Sequence, residues 1–255
     1  MHTETSSPAI QVRHLTVSYG PKPALLDVTL DIDPGLLVGV IGPNGAGKST
    51  FIKAVLGFVN RDIGDVLIRG VPAEKAKGVV AYVPQRSAVD WDFPVTVREV
   101  AMMGRYRHIS WFREPGKEDE RAVEEALDMV RMSDFINRQI GQLSGGQQQR
   151  VFMARALAQG SDILLLDEPF AGVDAATERS ILEVLERAKT AGKTLVVVHH
   201  DLATAAEYFD RLALIKQRLY AYGTPDVVLR EDLLSEVYEG KLRAFTRVFK
   251  KDGQS

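Results

Sequence analysis

The sequence predicts an α/β fold in which a parallel β-sheet forms the core, a β-rich subdomain precedes it, and an α-helical subdomain is inserted into it. Three continuously apolar runs of strand length predict the parallel sheet, because strands covered on both faces need no polar side: 36–41, 163–166 and 195–198. Strand-like segments between residues 10 and 68 predict the β subdomain. Helical periodicity within about 87–158 predicts the insertion.

The N-terminal segments show the alternation of half-buried strands. In 26–32, apolar residues occupy the even positions and polar residues occupy the odd ones. A further strand is indicated by Val66 and Ile68. The first strand loses this alternation between Val12 and Leu15, which predicts a kink or bulge there.

Two amphipathic helices are predicted from apolar residues at helical spacing. The first covers about 118–132, and its apolar face consists of Val123, Ala126, Leu127 and Val130. The second stops near Gly192, and its apolar face consists of Ile181, Leu182, Leu185 and Ala188. We expect a main domain of residues 10–224, followed by a short C-terminal extension of residues 225–255.

Composition excludes several classes of protein. The 255 residues are 45% hydrophobic and 26% charged, as in ordinary globular proteins. A net charge of −2 argues against a general nucleic-acid binder, which usually carries a basic face. The absence of cysteine excludes disulfides and fits a reducing compartment. No apolar run reaches the roughly 20 residues that span a bilayer, and no signal peptide is evident, so any membrane role requires partners.

A phosphate-binding loop follows the first apolar strand. The sequence of 42–49 fits G-x-x-x-x-G-K-[ST]. Backbone N–H groups of such a loop wrap a phosphate at a helix N-terminus. The predicted ATP-binding residues are Gly42, Pro43, Asn44, Gly45, Ala46, Gly47, Lys48, Ser49 and Thr50. Lys48 is expected to reach the β- and γ-phosphates, and the Ser49 hydroxyl is expected to bind Mg²⁺.

Two acids end the second apolar strand. Asp167 is expected to join the magnesium shell at the carboxyl edge of the sheet. Glu168 is placed to polarise the attacking water. A second anion site is predicted at 143–147, where a serine and two glycines precede a helix. Since one γ-phosphate seldom needs two such sites from one chain, the second is expected to serve an ATP held by another molecule.

The ordered motifs resemble the ABC ATPase family from about residue 10 to about residue 224. The motifs are Tyr19, 42–49, Gln85, 143–147, Asp167, Glu168, Asp174 and His200. The resemblance implies a P-loop (RecA-like) ABC ATPase core with an antiparallel β subdomain and an inserted α-helical subdomain. It also implies ATP and Mg²⁺ as cofactors, and ATP hydrolysis coupled to transmembrane transport by a dimer that sandwiches two ATP molecules.

The resemblance assigns roles to single residues. It implies that Tyr19 stacks on adenine, that Gln85 binds Mg²⁺ or water, and that His200 acts with Glu168 as a catalytic residue. The residues implied to contact the ATP of the partner subunit are Ser144, Gly145, Gly146, Gln147 and Asp174. The adjacent His199 could be a metal ligand, but neighbouring residues that leave a strand point to opposite sides, which favours an ordinary packing role.

Five shorter segments are similar to bacterial ATPases that energise the uptake of manganese, zinc or iron. They are 84–94, 103–106, 111–113, 134–136 and 138–141. This similarity implies membrane permease subunits, an extracytoplasmic metal-binding protein that acts through them, and a cytoplasmic position on the inner face of the membrane. Manganese is the first expectation. Trp91, Phe93 and Trp111 either form a socket for a partner or pack the insertion.

Other functions stay open at this point. An importer of iron-siderophore or cobalamin would use the same ATPase motifs. A non-transport ABC ATPase usually carries long coiled-coil insertions or paired ATPase units, for which this chain has no room. A phosphoryl-transferring P-loop kinase would leave 143–147 without a role.

Overall fold

The computed structural model describes residues 7–76, 78–91, 93–110 and 113–238. Trp111 and Phe112 of the predicted metal-uptake segments, and 239–255 of the C-terminal extension, lie outside these ranges. The strands are β1 (Ile10–Tyr19), β2 (Lys22–Ile32), β3 (Leu37–Ile41), β4 (Ile63–Ile68), β5 (Val71–Pro72), β6 (Val80–Val83), β7 (Ile163–Asp167), β8 (Thr194–Val198), β9 (Arg211–Lys216) and β10 (Arg218–Gly223). The α-helices are α1 (Lys48–Val55), α2 (Val97–Met102), α3 (Lys117–Met129), α4 (Gly145–Ala158), α5 (Ala175–Thr190), α6 (Leu202–Tyr208), α7 (Pro225–Val228) and α8 (Glu231–Val237).

A six-stranded sheet with the order β10-β9-β3-β8-β7-β6 lies at the centre of the fold. Its strands run parallel except for β10, which pairs antiparallel with β9. Every residue of β3, β7 and β8 is buried, as their continuous apolar runs predict. The carboxyl ends of these three strands lie at one edge of the sheet, which is where ligands bind in such folds.

A second, antiparallel sheet has the order β2-β1-β4-β5. The bulge predicted in β1 is confirmed, because the register with β2 shifts between Val12 and Leu15. His14, which lies within the bulge, has a positive φ of 49°. The extra residue bends the strand and rotates the residues that follow it onto the correct face.

The second strand carries a compensating bulge that the alternation did not reveal. Its partner pairs are Leu15–Val28 and Val17–Leu25, so β2 has one more residue than β1 in this stretch. Asp27, with a φ of 55°, lies within it. Leu25 is therefore fully buried, whereas Leu26 is only partly buried. The predicted inward position of Leu26 was wrong for this reason.

The helices α2, α3 and α4 lie between β6 and β7 in the chain and pack on one another. The predicted apolar face of α3 is confirmed, since Val123, Ala126, Leu127 and Val130 are all buried. In α5, Val184 takes the buried position predicted for Leu182, which is only partly buried. The last two helices contribute Val228, Leu234 and Val237 to the same hydrophobic core.

The predicted fold class is confirmed: an α/β core with a parallel sheet, an antiparallel sheet and a helical segment between two neighbouring strands. Among the residues that the structure describes, no helix combines the length and the apolar character that crossing a bilayer requires.

Candidate nucleotide site

A cavity of about 480 Å³ lies over the loop between β3 and α1. It is lined by Tyr19, Ala24, Asn44, Gly45, Ala46, Gly47, Lys48, Ser49, Thr50, Gln85 and Glu168. Tyr19 is 56% exposed, so its ring is available to a ligand. The structure therefore brings together residues from the first strand, the glycine-rich loop, the end of β6 and the end of β7. Of these, Ala24 was not predicted, because its place depends on the pairing of β2.

Gly47 shapes the loop at the start of α1. It has a φ of 96°, which side chains other than glycine rarely adopt. A Cβ atom at this position would lie 2.4 Å from the carbonyl oxygen of Ala24. Only glycine therefore allows the loop to approach β2 this closely. The turn leaves the first N–H groups of α1 free to bind an anion.

The amine of Lys48 is held against the loop. Its side chain is buried, and Nζ donates to the carbonyl oxygens of Gly42 at 2.9 Å and Pro43 at 3.0 Å. Burial lowers the pKa of Lys48, and the carboxylates of Glu168 and Asp167 oppose that shift. A buried cation next to free backbone N–H groups is an environment that favours a phosphate.

The Ser49 hydroxyl donates to Oδ1 of Asp167 at 3.0 Å. Asp167 is buried, and burial raises its pKa while the Ser49 hydrogen bond opposes the rise. A hydroxyl and a carboxylate side by side are the oxygen donors that Mg²⁺ prefers, with phosphate and water completing the shell. The donor set therefore fits magnesium. Within the described ranges, no group of three or more His, Asp or Glu side chains forms a site made of protein ligands alone.

Glu168 faces the cavity from a strained position. Its φ of 50° lies in the left-handed region, which costs about 1 kcal/mol or more for a side chain of this kind. The Gln85 amide nitrogen donates to Glu168 Oε2 at 3.0 Å. This contact joins the end of β6 to the end of β7 and orients the carboxylate toward the space above the loop.

The two histidines at the end of β8 lie in different environments. His200 is exposed, and it is not among the described residues that line the cavity. His199 is buried, with Nε2 2.8 Å from the Thr204 hydroxyl and its ring against Phe170 and Tyr208. Burial and the neighbouring His200 lower the pKa of His199 to about 4, so this imidazole is neutral.

The predicted second anion site lies at the N-terminus of α4. Ser144 caps this helix by accepting from the Gln147 N–H at 3.3 Å, and the Gln147 side chain accepts from the Ser144 N–H at 2.9 Å. A Cβ atom on Gly146 would lie 2.1 Å from Cγ2 of Thr177 in α5. Asp174 caps that same helix by accepting from the Thr177 N–H at 2.9 Å. The segment 144–147 and Asp174 therefore lie side by side.

This second site and the cavity are separate in one chain. Neither the residues 144–147 nor Asp174 is among the described residues that line the cavity. Ser144 and Asp174 are exposed. The hydrogen bonds from the Thr177 backbone and hydroxyl hold the pKa of Asp174 below its usual value, so it is an anion. The arrangement leaves Ser144 open to a second molecule, whereas Gly145 and Gln147 are partly buried and Gly146 is buried.

A larger groove of about 800 Å³ lies between the end of α1 and the helical segment. Phe58 is 65% exposed in it, and its ring meets Tyr82 edge-on with centroids 6.0 Å apart. Met103 and Arg107 line the opposite side. The sequence signal for this groove was an aromatic residue directly after a helix-ending glycine, which pattern reasoning did not single out.

The aromatic residues that follow Gln85 have different environments. Trp91 is partly buried and packs against Phe152 of α4, with ring centroids 4.9 Å apart and ring planes inclined at 60°. It therefore packs the helical segment, which was one of the two predicted alternatives. Phe93 is 59% exposed. Neither of these residues is among the described residues that line the large groove, and a partner socket at Phe93 stays a prediction.

Comparison with known proteins agrees with this geometry. The family model described as ABC transporter matches residues 25–171, which include the glycine-rich loop, the segment 143–147 and the two acids at the end of β7, Asp167 and Glu168. The chain belongs to the ABC transporter family. As a member of this family it is an ATP-binding subunit and an ATPase, in agreement with the sequence prediction.

The match to individual relatives covers nearly the whole of this chain. The zinc transport system ATP-binding protein TroB of Treponema pallidum (strain Nichols) is 50% identical over 246 residues, which cover 96% of this chain and 92% of that protein. The manganese transport system ATP-binding protein MntB of Bacillus subtilis (strain 168) is 50% identical over 233 residues, covering 91% and 93%. An ATP-binding cassette of an ABC transporter, solved in its ADP conformation, superimposes with a TM-score of 0.80 at 26% identity and covers 92% of this chain and 99% of that one.

Proposed function

We propose that this protein is the ATPase subunit of an ABC importer for divalent metal ions, with manganese first and zinc or iron next. The observation that carries the proposal is the 50% identity, over more than nine-tenths of the chain, to relatives named for zinc and manganese transport systems. The ion itself does not enter this subunit.

The residues around the cavity divide the work of ATP hydrolysis. Residues 42–50 bind the phosphates, and the Lys48 amine neutralises part of their negative charge. Tyr19 stacks on the adenine. Glu168 accepts a proton from the attacking water, and the Gln85 amide holds its carboxylate in place. His200 completes the water site when the exposed end of β8 closes on the γ-phosphate.

Ser49, Asp167 and Gln85 would hold Mg²⁺ together with the phosphates. When bound, the ion would supply charge neutralisation for the phosphates. Within the chain, the hydrogen bond between Ser49 and Asp167 orients both oxygens before the ion binds. The same hydrogen bond opposes the rise in the pKa of Asp167 that burial causes.

The complete site is formed by two copies of the chain. The ATP bound by one copy is contacted by five residues of the other copy: Ser144, Gly145, Gly146, Gln147 and Asp174. The support is that these residues lie together, away from the cavity of their own chain. The test is the mass of Glu168→Gln in solution: we expect a monomer without nucleotide and a dimer with ATP and Mg²⁺. A monomer under both conditions would contradict the sandwich.

The large groove is the proposed docking site for a membrane permease subunit. An exposed Phe58 beside Tyr82 suits the apolar face of a short helix, and Arg107 at the rim suits its acidic residues. The chain is then a peripheral cytoplasmic protein, and the extracytoplasmic metal-binding protein acts through the permease. Phe58→Ser should abolish transport and leave the basal ATPase rate intact. Ile63→Ser, which removes a similarly exposed residue that is not among those lining the groove, should leave both transport and the basal ATPase rate intact.

The experiment that tests the function is ion uptake by cells in which Glu168→Gln replaces the native protein. We expect loss of uptake of one divalent ion, which names the substrate, while Glu125→Gln, a change on an exposed face of α3, leaves uptake unchanged. Normal uptake of manganese, zinc and iron in cells without a second importer would overturn metal import. Loss of siderophore or cobalamin uptake would instead identify that class of compound as the transported substrate.

A further inference from the structure

Arg86, the residue after Gln85, contacts the helix that begins at the signature segment 144–147. Its Nη2 and Nε atoms lie 2.9 and 3.2 Å from Oε1 of Gln148 in α4. Gln148 is buried, and its own amide nitrogen donates to the Ile140 carbonyl oxygen at 3.2 Å. The acceptor that Arg86 uses is therefore fixed in position. Hydrogen bonds of a charged donor are stronger than neutral ones.

The backbone and the side chain of Arg86 are held by the same neighbour. The Trp91 indole N–H donates to the Arg86 carbonyl oxygen at 2.8 Å, and the guanidinium lies 5.7 Å from the centre of the Trp91 ring. Trp91 in turn packs at a tilted angle against Phe152 of α4. Segment 86–91 is thus fastened to α4 at both of its ends.

The guanidinium also contacts the first residue of α4. A Cβ atom on Gly145 would lie 3.1 Å from Cζ of Arg86. On the other side of the same helix N-terminus, Gly146 packs against Thr177. The two glycines are therefore held between Arg86 and α5, and a displacement of this helix end must displace Arg86.

The neighbouring residues Gln85 and Arg86 thus contact the catalytic carboxylate and the signature segment, respectively. Gln85 reaches Glu168 at 3.0 Å, and Arg86 reaches Gln148 and Gly145. We propose that Arg86 is a positioning residue that transmits the position of the signature segment to the Gln85–Glu168 pair of the same chain. The inference rests on the proposed function, in which the signature segment touches the ATP of the partner. Through Arg86, occupancy of the partner's site sets the position of the catalytic carboxylate in this one.

The planar fork of arginine is essential to this arrangement. Two of its N–H groups share one oxygen while its face meets the indole, which a lysine ammonium cannot reproduce. Arg86→Lys should therefore keep one hydrogen bond and give intermediate behaviour. Arg86→Met should remove the link without disturbing the core, because Arg86 is exposed.

The test is the dependence of ATPase rate on ATP concentration for the purified full-length chain. Arg86→Met should lower kcat at least about tenfold, because it removes both charge-assisted hydrogen bonds to Gln148. Its Hill coefficient should fall to about 1, because the two sites no longer communicate. ATP binding should stay near the native affinity. Arg121→Met, which removes an exposed arginine on α3, is the matched control and should behave as native.

A double-variant cycle distinguishes the positioning role of Arg86 from a general effect on the stability of the fold. Arg86→Met and Gln148→Met should each reduce kcat and the Hill coefficient, and the double variant should lose no more than either alone. Native cooperativity in Arg86→Met, or a loss of ATP affinity that accounts for the whole effect, would overturn the proposal. Native hydrolysis by Glu168→Gln would instead overturn the proposed catalytic roles, whatever Arg86 does.

Discussion

The Ser49 hydroxyl lies 3.0 Å from Oδ1 of Asp167, although the two residues are 118 positions apart in the chain. The contact joins the first turn of α1 to the last residue of β7, and it places two oxygen donors together. Removing one of them should weaken magnesium binding more than nucleotide binding.

Ser49→Ala should raise the magnesium concentration needed for half-maximal ATPase activity by at least about tenfold, a typical effect of losing one ligand or its neighbour. The measurement is a magnesium titration of the ATPase rate at fixed ATP. Thr190→Ala, which removes a hydroxyl at the exposed end of α5, serves as the control. An unchanged titration in Ser49→Ala would show that this hydroxyl does not bind the ion.

Asp167 should lower the stability of the ligand-free protein at neutral pH. Burial raises its pKa, so the folded chain holds a proton on this carboxyl at a pH where the unfolded chain has lost it. Its contribution to stability is therefore complete at low pH and is lost as pH rises through the raised pKa. Asp167→Asn keeps the acceptor for Ser49 and removes the charge.

The expected result is a higher Tm for Asp167→Asn than for the native chain at about pH 7, with the difference vanishing near the ordinary aspartate pKa of about 4. The variant should have no ATPase activity. Thermal unfolding without magnesium or nucleotide, at a series of pH values, measures this. A lower Tm at neutral pH would contradict the expected cost of the buried carboxylate.

His199 should make the fold sensitive to acid. Its pKa of about 4 lies below the ordinary value of 6.5 because the ring is buried. A group of depressed pKa contributes stability that is present above the ordinary pKa and is lost as pH falls toward the depressed one. The loss between those values amounts to at most about 3 kcal/mol.

His199→Met removes the titrating ring but keeps an apolar side chain in the pocket. It should be less stable than the native chain at neutral pH, since the contact with Thr204 is lost, and its free energy of unfolding should fall less steeply on acidification. Urea unfolding across the range from about pH 7 to pH 4.5 compares the two slopes. Equal slopes would mean that His199 titrates normally.

The helical segment depends on a buried ion pair. Arg105 donates to Asp119 Oδ1 at 3.0 Å and to the Ala158 carbonyl oxygen at 3.1 Å. Asp119 Oδ2 also accepts from the Gly116 N–H at 3.0 Å, and this hydrogen bond is the main reason that the pKa of Asp119 is lowered. Arg113, the other cation beside it, is 3.9 Å away and largely exposed.

Arg105→Met should lower Tm, because it leaves Asp119 buried beside a distant cation. Adding Asp119→Asn should restore part of the loss, since the amide still accepts from Gly116 without carrying a charge. Thermal unfolding at neutral pH compares the Tm of Arg105→Met with the Tm of the double variant. A double variant less stable than Arg105→Met would show that Arg113 and solvent already compensate the carboxylate.

Local sequence predicted most of the core and the loop at the nucleotide site, because both depend on short patterns. The apolar runs of β3, β7 and β8 and the glycine-rich loop each lie within a few consecutive residues. The bulge at Asp27 was not predictable, since it only compensates for an extra residue in the neighbouring strand. The contact between Arg86 and Gln148 spans 62 positions and leaves no pattern in either segment.

The separation of the cavity from the segment 144–147 has a genetic consequence. In the proposed dimer, a copy that cannot bind ATP, such as Lys48→Ala, still offers an intact signature segment to its partner. A copy with Ser144→Arg offers an intact cavity. Each variant alone forms only defective sites, but a mixed pair contains one site built entirely from native residues. Two inactive alleles expressed in one cell should therefore restore part of the transport that neither supports by itself.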